Sequence, residues 1–122
     1  MAENPEGKLE KITHLLVDMG VPKNPAKALA YIFLKGAPAR TAEIEAKTGL
    51  RQPEVSLAVK HLRSTGWVKK SEVEKQGKGR PVHEYALALS PQEFIGELEK
   101  LQKKKIQEIE ESLSSLKEEI VK

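Results

Sequence analysis

Apolar residues recur at three- and four-residue steps along most of the chain and switch to alternation near residue 85, and these two periods define the expected elements. Leu9, Ile12, Leu16 and Met19 give a helix over residues 7 to 19 with one apolar stripe. Gly20 ends it and Val21-Pro22 prevents continuation. Asn24-Pro25 offers an N-cap with proline at the first helical position, followed by a buried face of Ala28, Leu29, Ile32 and Phe33 up to Gly36. After a short connection, Ala37-Pro38-Ala39-Arg40, Thr41 is the expected N-cap of a helix from Ala42 to Thr48. Glu43 and Glu45 lie near its positive end, and Gly49 stands where a left-handed residue stops it. Gln52-Pro53 opens a further helix whose Val55, Ala58, Val59 and Leu62 form one face, ending at Ser64-Thr65-Gly66. Three helices of these lengths enclose a small core.

Residues 67–75 and 81–89 are strand candidates around the tip Gln76-Gly77-Lys78-Gly79-Arg80. The second alternates, with Tyr85, Leu87 and Leu89 on one side. Trp67 and Tyr85 are assigned to core packing, and His83 to an ordinary strand position. Ser90-Pro91-Gln92-Glu93 reads as a capping box that opens a helix running to about residue 121. Phe94, Leu98 and Leu101 make one apolar seam. Ile106, Ile109, Leu113, Leu116 and Ile120 make another in heptad spacing, offset by one residue across Lys103-Lys104-Lys105. A helix about 45 Å long cannot bury such a seam on a domain this small, so it calls for a partner helix. The expected division is a domain over 1–90 and a dimerisation helix over 91–122.

Composition narrows the chemistry. With 122 residues there is room for one compact domain and one extension. Cysteine is absent and the three histidines, His14, His61 and His83, are scattered, so neither a thiolate metal site nor a thiol redox switch is expected. No Ser/His/Asp or Cys/His arrangement is suggested, and the glycines near residue 78 do not precede a helix. The chain is read as a non-enzyme without cofactor or metal. No apolar run approaches a membrane span, which points to a soluble cytoplasmic protein. The net charge is only +3, but residues 51 to 90 carry eight Lys/Arg against four Glu, while 1 to 21 and 91 to 122 are each net negative by two. Such a focus of positive charge suits a polyanionic partner.

Two helices joined by a tight glycine turn and followed by a basic hairpin are what a helix-turn-helix with a wing requires, since the second helix must offer its N-terminal residues to base edges while its other face packs on the first. The run EIEAKTGLRQPEVSLAVKHLRSTGWV and the KGR at the hairpin tip resemble the winged-helix domain of archaeal and bacterial transcriptional regulators of the TrmB-like and MarR-like groups. The resemblance covers residues 24 to 89. It departs from the motif at Glu45, where a small residue is usual, and at Leu57, where a polar one is. The fold it implies is mostly α with a small β-hairpin wing, a winged helix-turn-helix domain with a long C-terminal dimerisation helix.

Projecting the recognition helix with its apolar face inward leaves Arg51, Gln52, Glu54, Ser56 and Lys60 as candidate DNA contacts. Gln52 suits adenine and Arg51 guanine, whereas Ser56 and Lys60 suit phosphates or an adjacent base. Glu54 either reads cytosine or stabilises the helix dipole. Lys78 and Arg80 on the wing suit the minor groove or flanking backbone, and Lys75, Arg40, Lys69 and Lys70 add phosphate contacts. The reading is a homodimer on double-stranded DNA, held by the two C-terminal seams and acting as a transcriptional regulator. The alternative is a winged-helix adaptor that binds another polypeptide in a transcription complex without reading DNA. No residue points to a small-molecule effector.

Overall fold

The computed structural model describes residues 5–73 and 82–121. Residues up to Ser90 and residues from Pro91 form two separate compact units. In the first unit the order is α1 (Pro5–Asp18), α2 (Lys23–Lys35), β1 (Ala39–Arg40), α3 (Thr41–Thr48), α4 (Gln52–Ser64), β2 (Val68–Val73) and β3 (Val82–Leu87); α5 (Pro91–Ile120) makes up the second.

α2 is the central helix and packs against α1, α3 and α4. Ala26, Ala28, Leu29, Ala30 and Ile32 are all buried on it, a wide arc that suits an element with neighbours on several sides. Phe33, expected in that face, is only half-buried. The helix starts at Lys23 rather than after Asn24, so the asparagine is not its cap. Its side-chain amide donates instead to Glu54 of α4 at 3.4 Å. α3 likewise begins one residue early, at Thr41 with Arg40 in the cap position. The core is completed by Ile44 of α3, Val55 and Leu62 of α4, and Leu29 and Ile32, which are the largest fully buried side chains. Each contributes about 1.5–3 kcal/mol through the apolar surface it removes from water. Among the described residues no polar or charged residue is buried.

The sheet has three antiparallel strands in the order β1-β3-β2. β1 falls within the short connection expected at residues 37–40, since two residues have no period to reveal a strand. Ala39 pairs with Tyr85 and Arg40 with Glu84, so β3 is flanked on both sides. Ala39, Val68 and Tyr85 are buried, and the register places them on one face. Trp67 is buried at the junction between α4 and β2, where its N–H donates to the Leu62 carbonyl at 3.2 Å and its carbonyl accepts from Ala88 at 2.9 Å. Trp67 and Tyr85 are therefore core residues, as their spacing implied.

α5 is one continuous helix of 30 residues. Phe94 and Leu98 are buried, whereas Leu101 and the five residues of the second seam, Ile106 to Ile120, are exposed. No helix among the described residues is long and apolar enough to cross a membrane.

Candidate nucleic-acid interface

The turn between α3 and α4 fixes how α4 is offered. Gly49 closes α3 in the left-handed region at φ 77° and ψ 2°, with its N–H donating to the Glu45 carbonyl at 2.9 Å. Leu50 then folds into the core, and its N–H donates to the Thr48 hydroxyl at 3.2 Å. Arg51 is extended, and α4 starts at Gln52 with Pro53 in its first turn, where a missing N–H costs nothing. Glu45 is half-buried, so the position the motif reserves for a small residue accommodates a longer side chain at the edge of the core.

Val55, Ala58, Val59 and Leu62 face inward, as their spacing requires. Arg51, Gln52, Ser56, Leu57 and Lys60 are exposed, and so is Arg63, which the helical repeat places on the same side as Ser56. Leu57 is 69% exposed, so it has no local packing partner of consequence. Glu54 differs from the others. One carboxylate oxygen accepts the Arg51 N–H at 2.9 Å and faces the Arg51 Nε at 3.4 Å, and the other accepts from Asn24. These bonds, the Arg51 N–H foremost, hold its carboxyl below the ordinary carboxylate range. The carboxylate thus caps α4 and ties its start to α2, and any base contact would compete with that cap.

A second acidic cluster fastens α3. Glu43 accepts from Lys35, from the Tyr31 hydroxyl at 3.1 Å and from the Arg40 N–H at 3.3 Å. The Lys35 ammonium is the main reason its carboxyl titrates below the ordinary 4.5. Burial, reinforced by Glu43, pushes the Tyr31 phenol up. Arg40, the expected flank contact, ends β1 with its Nε 4.0 Å from the Glu84 carboxylate across the strand pair, and its side chain is half-exposed. It is oriented by the sheet and still accessible.

Between α4 and the sheet lies a cleft of about 320 Å³ lined by Thr41, Gln52, Ser56, Val82, His83 and Tyr85. Gln52 and Ser56 sit one turn apart on its helical wall. Thr41 and His83 were not among the sequence-derived candidates. The signal for His83 was available, since it shares the alternation of Tyr85 and Leu87 and so lies on the face of β3 that meets the helix. The two β2 lysines part company: Lys69 is exposed opposite Ala86, and Lys70 is half-buried opposite Tyr85, so successive side chains leave opposite faces of the sheet. Lys75, Lys78 and Arg80 of the expected wing lie outside the described residues. Among the described residues no cluster of His, Asp and Glu is placed to hold a metal ion.

Comparison with known protein families finds no matching family model, and none of the curated proteins matches the chain. Among solved structures, a possible transcriptional regulator from Methanosarcina mazei Go1 superimposes with a TM-score of 0.66 over 93% of this chain and 90% of that one, at 15% sequence identity. At that identity the likeness speaks for the fold. The chain has a winged-helix fold, mostly helical, with a small three-stranded antiparallel sheet and a long C-terminal helix.

Proposed function

We propose that the chain is a cytoplasmic, homodimeric transcriptional regulator of the TrmB-like or MarR-like kind that reads double-stranded DNA, with α4 in the major groove and the wing on the minor groove or flanking backbone. The observation that carries this reading is the outward face of α4. Gln52, Ser56 and Lys60 are exposed on a helix anchored along its opposite side, and Gln52 and Ser56 line a polar cleft of about 320 Å³. The excess of Lys/Arg over Glu in residues 51 to 90 supplies the sequence-independent attraction that such docking needs. The likeness of the fold to that of a possible transcriptional regulator supports the same conclusion.

In this arrangement Arg51 and Gln52 read bases, while Ser56, Lys60, Arg40, Lys75, Lys78 and Arg80 hold the backbone. Glu54 positions the helix that carries Arg51 and Gln52. Two copies related by a two-fold axis put their recognition helices about 34 Å apart, so the site is an inverted repeat. Selection of bound sequences from a random duplex pool tests DNA binding and half-site symmetry together. Enrichment of an inverted repeat with half-sites one helical turn apart is expected. Recovery of no sequence above background would reject DNA reading.

The exposed Leu57 in the middle of the α4 face favours a second reading, an adaptor that docks on another polypeptide. Duplex binding that is absent or insensitive to salt, together with a partner whose binding is lost in Leu57→Asp, would select it.

A further inference from the structure

Ile106, Ile109, Leu113, Leu116 and Ile120 form a stripe on α5 whose members are between 47% and 68% exposed. Their steps of three, four, three and four residues assign heptad positions: Ile106, Leu113 and Ile120 at a, Ile109 and Leu116 at d. The flanking positions follow. Lys103, Glu110 and Lys117 fall at e, and Lys105, Ser112 and Glu119 at g.

We propose that a second copy of this chain covers the stripe as a parallel, in-register coiled coil over residues 106 to 120. The inference rests on the homodimer reading above and specifies its geometry. In a parallel pair each a residue meets its own copy and each d residue does the same, so all five layers are filled. The flanks then set Lys105 against the partner's Glu110 on both sides of the coil, and Ser112 against the partner's Lys117, with no like charges opposed. Antiparallel pairings do worse, because a must then face d. If Ile106 faces the partner's Leu116, Ile120 falls opposite Gln102, Lys103 opposes the partner's Lys117, and Glu110 opposes its own copy. If Ile109 faces the partner's Ile120, the charges improve but Ile106 meets none of the five stripe residues. Only the parallel register pairs all five stripe residues with one another and opposite charges at once. Because α5 follows directly on Ser90, both reader units then leave the coil from the same end.

The chain contains no cysteine, so single introduced cysteines report unambiguously. The full-length variants Ile106→Cys and Ile120→Cys, at the two ends of the stripe, are each expected to form homodimeric disulfides under mild oxidation. In either antiparallel register, self-pairs at these positions lie roughly 15–27 Å apart along the axis at about 1.5 Å per residue, so neither cross-links. Cross-links that appear only when Ile106→Cys is mixed with Leu116→Cys, or Ile109→Cys with Ile120→Cys, would overturn the parallel geometry and leave the homodimer intact. A wild-type chain that sediments as a monomer at micromolar concentration would overturn both. As a second measurement that leaves the apolar layers untouched, Lys105→Glu should raise the dimer dissociation constant by about three- to tenfold at low salt. Adding Glu110→Lys should restore it, and no restoration counts against the register.

Discussion

Replacing Gly49 probes the joint that fixes how α4 is presented. Gly49 holds φ 77°, and a Cβ built there meets nothing within 4 Å. The cost of a side chain is therefore conformational, not steric. An L-residue in the left-handed region costs roughly 1–2 kcal/mol, offset by about 0.4–1 kcal/mol from the smaller entropy of the unfolded chain. Gly49→Ala should thus destabilise by about 1 kcal/mol, lowering the melting temperature by about 4–8 °C for a domain of this size. Asparagine, which enters this region more readily, should cost less, and valine more, giving the order Asn, Ala, Val. Urea denaturation of the three variants, with an unchanged slope, measures the differences. Duplex affinity corrected for the folded fraction should stay near wild type for Asn, because the turn keeps its shape. An Ala variant as stable as wild type, or an Asn variant as unstable as Val, would refute the left-handed turn as the source of the cost.

Glu54→Gln keeps a side-chain oxygen to accept the Arg51 N–H and cap α4 but removes a negative charge beside the DNA face, so it should tighten binding to all duplexes without altering base preference; loss of preference at one base pair would instead make Glu54 a reader. Acid should loosen the anchoring of α3. The folded-state value of Glu43 lies below its unfolded value, so its stabilisation is complete above the ordinary 4.5 and is lost as pH falls through the folded value. Urea midpoints followed downward from neutral pH should therefore drop below that point, and Glu43→Gln should flatten this part of the profile. Leu62→Ala should cost about 2–5 kcal/mol, because its side chain is fully buried. Lys60→Ala should change stability by less than about 0.5 kcal/mol yet weaken duplex binding, so Leu62 and Lys60 of one helix separate folding from function in a paired melt and binding assay.

Helix positions were legible because each helix buries one face and has a chemical stop. Gly49, the Val55 to Leu62 face and the Pro91 start all follow from spacing and from residue types with narrow backbone preferences. Helix starts were less legible. Asn24 looks like a cap, but its amide has a partner 30 residues away in Glu54, a tertiary contact that no local rule contains. β1 escaped for a similar reason, because Ala39 and Arg40 become a strand only through pairing with Tyr85 and Glu84. At the candidate site, alternation suffices to set Lys69 and Lys70 on opposite faces and His83 beside Tyr85, yet from sequence both lysines count as phosphate contacts and His83 as an ordinary strand residue. What it could not supply was the cleft that brings Thr41, Gln52, Ser56 and His83 together, since those residues come from three elements joined only in the folded chain. The dual reading of Glu54 likewise needed coordinates, because a carboxylate three residues into a helix suits either a base or a cap until its hydrogen bonds are known.

The order β1-β3-β2 leaves β2 at one edge of the sheet, with one row of backbone N–H and C=O groups unpaired within the sheet among the described residues. Such a row is a template on which another chain can add a strand, and small sheets with an open edge are prone to self-association of that kind. Lys69 and Lys70, adjacent on this strand, place positive charge on both of its faces, so two copies brought edge to edge would repel. The pair discourages growth of the sheet from molecule to molecule.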